Sequence, residues 1–404
     1  MAPEDHRLRD FLTRVAQPFD WIEADTPEGE RLAGDLPLPV VIDGDEVLPG
    51  ATVERLVEAW HMTDPPSRSE YELAIVGAGP AGLAAAVYAA SDGLSTLVIE
   101  IDVPGGQASH TSMIENFFGF PEGIGGAELA RLAGRQAERF GAELVLLQGV
   151  TGGHHEPDGH FVLEVDGKHE VSARTAIAAP GMLWRRLEVD GLDELLDRGV
   201  YYGAGRSEAA RCGGDDVVVV GAGNSAGQAV MHLASAGARV VMLVRGDRLG
   251  KSMSGYLVER ISANPLIDVR LQTQVEAVEE DEEGLAAVVV RSADGPRERL
   301  PARSLFLCLG GEPRTGWTAG GGPRTDAAGF ILTGPDLLVD GRRPEGWPLA
   351  RDPLALETSV PGLFAAGDAR HGSVKRVAGA VGDGAMAVSL VHRRLDERLA
   401  EGVE

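Results

Sequence analysis

Leu73-Ala74-Ile75-Val76-Gly77-Ala78-Gly79-Pro80-Ala81-Gly82 decides the fold of this chain. Four apolar residues run into a Gly-x-Gly-x-x-Gly turn, which reads as a buried strand entering a helix. Such a turn aims backbone N–H groups and a helix N-terminus at a pyrophosphate. One match alone says little. A second follows, Val217-Val218-Val219-Val220 running into Gly221-Ala222-Gly223-Asn224-Ser225-Ala226. Two fingerprints imply two dinucleotides, and two dinucleotides imply electron transfer between them. Glu100 ends the strand after the first fingerprint. A carboxylate there accepts hydrogen bonds from a ribose with a free 2′-OH, which fits FAD. The second unit instead offers Arg245, Arg248 and Lys251, with Asp247 among them. Cations at this place suit a 2′-phosphate, so NADPH is favoured over NADH. The expected fold class is α/β, with two Rossmann-like, three-layer nucleotide-binding domains.

The bulk composition narrows the partners. At 404 residues, two or three domains are expected. There are 62 acidic against 37 basic residues, a net charge of −25. That balance argues against nucleic acid, because binding a phosphate backbone needs cations. No cationic N-terminus with an apolar core is visible, and Leu73–Ala90 is interrupted by its Gly-rich turn and Pro80. A soluble, cytoplasmic protein with no membrane partner is expected. Cys212 and Cys308 are the two cysteines, too few for a disulfide framework. The pair His154-His155 lacks a second ligand pair at metal spacing, so no metal site is expected. The run Glu279–Gly284 reads as a solvated hairpin loop.

Residues 1–66 stand apart, with 15 acidic and 5 basic residues and no Lys. Their pattern suggests a helix over Asp5–Ala16, strands over Trp21–Ala24, Pro39–Asp43 and Glu46–Leu48, and a helix over Thr52–Trp60. Leu38-Pro39-Val40 before a strand resembles the cis-Pro turn of thioredoxin-like folds. The expectation is a small thioredoxin- or glutaredoxin-like fragment without its first strand and Cys motif. The polar, turn-rich segment Met62–Ser69 would separate it from the rest.

From about Tyr71 to Val391 the chain resembles the thioredoxin-reductase-like branch of the FAD and pyridine-nucleotide-dependent oxidoreductases. Gly105-Gly106-Gln107 and Ile114-Glu115-Asn116-Phe117 are similar to the family's segments flanking flavin and pyrophosphate. Gly310-Gly311-Glu312-Pro313-Arg314-Thr315 resembles the turn where the chain re-enters the FAD domain. Phe364-Ala365-Ala366-Gly367-Asp368 resembles the second FAD motif, whose Asp holds the ribityl hydroxyls. Lys375 falls where the family has Arg, and Arg376 where it has Gln. In the family the helix N-terminus here faces the pyrimidine end of the flavin, where a dipole and cations stabilise reduced flavin. Asp383 at that end looks out of place.

The resemblance implies an FAD site built from Gly77, Gly79, Pro80, Ala81 and Glu100, then Gly106, Gln107, Asn116 and Val150, then Gly367, Asp368, Lys375, Arg376 and Val377. It implies an NADPH site built from Gly221, Gly223, Asn224, Ser225 and Ala226 with Arg245, Arg248 and Lys251. It further implies an FAD domain over 67–185 and 305–396, an inserted NADPH domain over 186–304, and a homodimer.

Three departures qualify the resemblance. Gly203 and Arg206 take the two positions of the redox Cys-x-x-Cys. Pro180 replaces a hydroxyl residue at the interdomain hinge, and the stretch Pro335–Leu349 is longer than usual. Beside the lost dithiol, Tyr202 is a candidate for stacking on flavin or substrate, and Arg206 for holding an anion. With Lys375 and Arg376 they complete the candidate catalytic set. The expected activity passes hydride from NADPH to FAD and electrons to an external acceptor, whether redox protein, disulfide or small molecule. One alternative is a flavin-dependent oxidase of a thiol or carrier-bound secondary-metabolite intermediate using O2. Another is a non-enzymatic FAD-binding sensor or scaffold.

Overall fold

A computed structural model describes residues 8, 9, 11, 12, 15, 19–110, 114, 116–196, 198–202, 212–251, 253–293, 295–320, 322–400 and 402. Most of the helix expected over Asp5–Ala16 lies outside them, as do Gly203 and Arg206. The chain divides into two compact units, 1–182 with 313–404, and 183–312.

The described residues 8, 9, 11 and 12 are helical, and helix α1 (Pro27–Ala33) follows, an element the sequence pattern does not announce. Thr26 caps it, its Oγ1 accepting the Gly29 N–H at 3.1 Å, and Pro27 pre-sets the first turn. The strand expected over Trp21–Ala24 is absent; the segment is irregular and folds back locally. Trp21 Nε1 donates to Glu23 at 3.2 Å, and the Thr26 N–H to the Glu23 carbonyl at 3.2 Å. Local capping has won over a short apolar pattern with no neighbouring strand to pair with. The Leu38–Pro39 peptide is cis. Strands β1 (Val40–Asp43) and β2 (Glu46–Pro49) form an antiparallel hairpin, followed by α2 (Val53–Ala59). Leu8, Phe11, Leu12, Leu56 and Val57 share a core with Val103 and Leu147. The module therefore belongs to the first unit rather than standing alone.

Strand β3 (Glu70–Val76) leads through the Gly-rich turn into α3 (Pro80–Ser91) and the parallel strand β4 (Thr96–Ile99). Helix α4 (Gly126–Arg139) returns to the parallel strand β5 (Glu143–Val145). An antiparallel meander of β6 (Val150–His155), β7 (Phe161–Val165) and β8 (His169–Ala178) follows, with β8 parallel to β3. The order is β5-β4-β3-β8-β7-β6. Strand β9 (Met182–Trp184) leads out.

The second unit holds β10 (Val200–Tyr202), β11 (Asp216–Val220), α5 (Asn224–Ser235), β12 (Arg239–Val244), α6 (Gly255–Ser262) and β13 (Ile267–Leu271). A three-stranded antiparallel sheet comes next, β14 (Thr273–Asp281), β15 (Gly284–Ser292) and β16 (Arg297–Pro301), then β17 (Ser304–Leu307). The main sheet is parallel, in the order β10-β17-β11-β12-β13. The acidic run expected as a loop mostly extends β14, closed by a tight turn at Glu282 and Glu283. Its charge is met across the sheet, where Arg299 reaches Glu279 at 2.7 Å and Arg303 reaches Asp281 at 2.8 Å.

The chain returns through β18 (Gly311–Pro313), which pairs with β9. The boundary falls at 313 rather than 305, because β17 is needed in the second unit between β10 and β11. Strand β19 (Leu363–Ala365) joins β8, and α7 (Val377–Ala400) packs on α3. At Gly384 in α7, an added Cβ would lie 2.1 Å from the Ala81 carbonyl oxygen, so only Gly permits this approach. The long stretch after Pro335 is fastened to α7 by Arg351, which meets buried Glu357 at 2.6 Å and Glu397 at 2.8 Å. Among the described residues, no helix is long and apolar enough to cross a membrane.

Candidate active site

In the first unit the Gly77 backbone sits at φ +106°, and a Cβ there would come within 2.2 Å of the Ala179 carbonyl oxygen. Gly79 differs: as N-cap of α3 it has ordinary extended dihedrals, and a Cβ would meet no atom within 4 Å. The space before the helix N-terminus is open. Gly106, at φ +53°, closes its rim, where a Cβ would lie 3.5 Å from the Gly79 Cα. Room, aligned N–H groups and a helix dipole are what a pyrophosphate requires. Pro80 begins the helix, and buried Ala81 packs its first turn.

Glu100 is buried at the end of β4. Its Oε2 accepts the Ala78 N–H at 2.6 Å and its Oε1 the Asp102 N–H at 3.0 Å. Burial pushes its carboxyl above the usual range, opposed by these two N–H groups and by nearby Arg314. Each oxygen keeps a lone pair for a ribose hydroxyl. Arg314, in the re-entry turn, is a neighbour of Glu100 that no sequence motif announces. Gln107 is half-buried in the short 3-10 turn after Gly106, Asn116 is exposed, and Val150 opens β6 opposite Val165.

The second FAD-type motif forms a 3-10 turn over Gly367–Ala369. The half-buried Asp368 carboxyl is raised by burial, with Lys375 pulling it down, and it makes no hydrogen bond to a described residue. Such an acceptor suits a ligand hydroxyl. Asp383 accepts the Gly367 N–H at 3.1 Å and pairs with Arg370 at 3.0 Å. Its oddness in the sequence resolves into a tie between α7 and the motif. Lys375 Nζ donates to the Asp368 carbonyl and to Ser373 Oγ, and lies 4.3 Å from the Phe330 ring centroid. Burial lowers its pKa from the ordinary lysine value. Arg376 is exposed just before Val377, the first residue of α7.

In the second unit Gly221 lies at φ +150°, with a Cβ 2.5 Å from the Cys308 carbonyl oxygen, while Gly223 again opens onto free space at a helix N-terminus. Asn224 Oδ1 accepts the Ser254 N–H at 2.8 Å, tying the loop after β12 to this helix start. Ser225 is exposed and Ala226 buried. Arg245 and Arg248 are exposed just beyond β12, and Lys251 lies in the 3-10 turn that follows.

Tyr202 belongs to β10 and packs in the apolar cluster of the second unit with Val200, Leu195 and Leu307. Tyr201 stacks on Phe306 at 5.3 Å. Both rings are half-buried against apolar neighbours. The Cys212 thiol donates to Ser304 Oγ at 3.6 Å, at the start of β17. Cys308 follows the other end, its N–H donating to the Val220 carbonyl at 2.8 Å. Four strand steps of about 3.3 Å put these ends roughly 13 Å apart, beyond the reach of a disulfide. Burial pushes the Cys308 thiol up to about 12. Among the described residues, no cluster of His, Cys, Asp and Glu could hold a metal.

The family model "Pyridine nucleotide-disulphide oxidoreductase" matches residues 71–384. The thioredoxin reductase of Treponema pallidum (strain Nichols) is 32% identical over 333 residues, covering 81% of this chain and 98% of that protein. The thioredoxin reductase of Bacillus subtilis (strain 168) is 32% identical over 330 residues, covering 81% and 95%. The crystal structure of thioredoxin reductase from Streptococcus pyogenes superposes with a TM-score of 0.66 at 30% identity, covering 82% of this chain and all of that one. The chain belongs to the pyridine nucleotide-disulphide oxidoreductase family and is an enzyme of its thioredoxin-reductase-like branch, which uses FAD and NADPH.

Proposed function

We propose that this enzyme takes hydride from NADPH and delivers electrons to an external acceptor without a dithiol of its own. The placement of its two cysteines carries the reading. Cys212 and Cys308 lie at opposite ends of β17, and the thiol of Cys308 is held protonated by burial. Neither has a second cysteine within reach. Thioredoxin, the substrate named by the relatives, would have to be reduced by another route.

The bound FAD would supply the two-electron relay between donor and acceptor. The open spaces at Gly79 and Gly223 would admit the two pyrophosphates, and Asp368 would accept a ribityl hydroxyl. Glu100 would receive the ribose of FAD, and Arg245 and Arg248 the 2′-phosphate of NADPH. Lys375 would stand where negative charge gathers during reduction. A second copy of the chain is expected to complete a homodimer. With a quinone the reaction balances as NADPH, a proton and quinone giving NADP+ and quinol, and with ferricyanide as NADPH and two ferricyanides giving NADP+, a proton and two ferrocyanides.

The test is anaerobic mixing of the FAD-loaded protein with NADPH, followed at the flavin absorbance. Bleaching on the order of 10 per second or faster, and reoxidation by ferricyanide or a quinone but not by disulfide, is expected. Absence of bleaching by NADPH within minutes, with bleaching by a thiol, would reverse the assigned direction.

A further inference from the structure

Lys375 is held by more than its own motif. The turn Asp326–Phe330 is closed by the Gly329 N–H on the Asp326 carbonyl at 3.0 Å and by Asp326 Oδ1, which accepts the Ala328 and Phe330 N–H groups at 2.8 and 3.0 Å. The other oxygen, Oδ2, faces His371 Nδ1 at 2.7 Å. Phe330, at the end of the same turn, lies beneath the Lys375 ammonium. Two backbone bonds run alongside, from Ile331 N–H to the Ala369 carbonyl at 2.9 Å and from His371 N–H to the Ile331 carbonyl at 2.8 Å. The segment between His371 and Lys375 is more weakly fixed. Gly372 has φ +67°, Val374 is 67% exposed, and Ser373 reaches the Arg370 carbonyl only at 3.4 Å.

We propose that the Asp326–His371 pair is a positioning device for Lys375. It holds the Phe330 turn where the ring can carry the ammonium, and so sets how strongly that cation stabilises negative charge on bound flavin. The proposal rests on the reading that Lys375 faces the flavin. A cation over an aromatic face is attracted to it, and a lysine on a short glycine-hinged segment needs such a fixed platform. His371 is a positioning residue here, acting through Phe330 and Lys375. The charged groups around it are Asp326 on its ring, Arg370 donating to its carbonyl at 3.0 Å, and Asp383 on Arg370.

The test measures the midpoint potential of bound FAD by anaerobic spectral titration in Lys375→Ala, His371→Ala, His371→Asn, Phe330→Leu and the double variant His371→Ala/Lys375→Ala. Lys375→Ala is expected to weaken stabilisation of the reduced flavin about tenfold, a drop of roughly 30 mV for a two-electron couple. His371→Ala and Phe330→Leu are each expected to lose about threefold, roughly 15 mV on the same scale. His371→Asn, which keeps a donor for Asp326, should restore most of that loss. The double variant should fall no lower than Lys375→Ala alone, because both changes act through one cation. An unchanged potential in Lys375→Ala would overturn the reading that Lys375 faces the flavin. A drop in Lys375→Ala with no change in His371→Ala and Phe330→Leu would leave that reading standing and overturn the positioning role. Additive losses in the double variant would also overturn it. If His371→Ala does not bind FAD, Phe330→Leu with the intact Asp326–His371 pair decides the matter.

Discussion

Asp383 Oδ2 accepts the Gly367 N–H at 3.1 Å, so a carboxylate on α7 fixes the turn that presents Asp368. The same oxygen takes Arg370 Nε at 3.0 Å, and both side chains are less than one-fifth exposed. Removing the acid leaves a poorly solvated guanidinium and an N–H without its acceptor.

Asp383→Ala is therefore expected to cost about 2 kcal/mol of stability and to weaken FAD binding by a similar factor. Asp383→Asn keeps an acceptor for Gly367 and should lose about half as much. Denaturant unfolding of the FAD-free protein, beside fluorescence titration with FAD, separates the two effects. Full FAD affinity in Asp383→Ala would show that the turn holds Asp368 without this tie.

Arg245 and Arg248 are exposed beyond β12, in the place where a ribose carboxylate would select against a 2′-phosphate. The double change to Ala should weaken NADPH binding by about 2 kcal/mol, roughly thirtyfold, and leave NADH within a factor of about two. Isothermal titration with both nucleotides checks this. Equal weakening would place the 2′-phosphate elsewhere.

Both Gly-rich turns were legible in the sequence because their cause is local. A strand, a glycine at positive φ and a helix start follow in one short run, and Gly77 and Gly221 each pass too close to a neighbouring carbonyl for any side chain. Asp383 was visible as an acid near a helix start, but its partners Gly367 and Arg370 come to it only through the packing of α7. The Asp326–His371 contact joins segments 45 positions apart and leaves no pattern in the chain. Tyr202 shows the same limit from the other side. Its neighbours in sequence suggest chemistry, while the apolar cluster it packs against, half-buried, comes from the pairing of β10 with β17 and has no local signal. Helix α1 was missed because Thr26-Pro27-Glu28 is start-of-helix chemistry at the edge of a weak strand pattern.

The cysteines offer a direct test of the missing dithiol. Cys212→Ser and Cys308→Ser, singly and together, should leave NADPH-driven flavin reduction and ferricyanide turnover within about twofold, apart from modest losses in stability from core polarity. Cys308, with its thiol pushed up to about 12 by burial, should resist iodoacetamide at pH 8 in the folded protein, since the thiolate is the reactive form. Peptide mass spectrometry after timed alkylation reads this. Rapid labelling of Cys308, or loss of disulfide-reducing turnover in either variant, would restore a thiol to the electron path.

Gly77 and Gly79 stand in the same turn and are glycines for different reasons. At Gly77 a Cβ would sit 2.2 Å from a backbone oxygen at φ +106°, with or without ligand. Gly77→Ala should therefore destabilise the FAD-free protein by roughly 3 kcal/mol. At Gly79 the backbone is ordinary and the space ahead is open. Gly79→Val should leave the FAD-free melting temperature within a few degrees, since an added Cβ meets no atom within 4 Å and substitutions that break no packing shift stability by about 0.5 kcal/mol. The added side chain would occupy the space assigned to the pyrophosphate, so FAD affinity should fall about a hundredfold or more, at least roughly 2.7 kcal/mol. Thermal melts with and without FAD separate the two variants. Retained FAD in a folded Gly79→Val protein would move the flavin away from α3, whereas a Gly79→Val protein that melts like Gly77→Ala would mean that the turn is closed by packing rather than left open for a ligand.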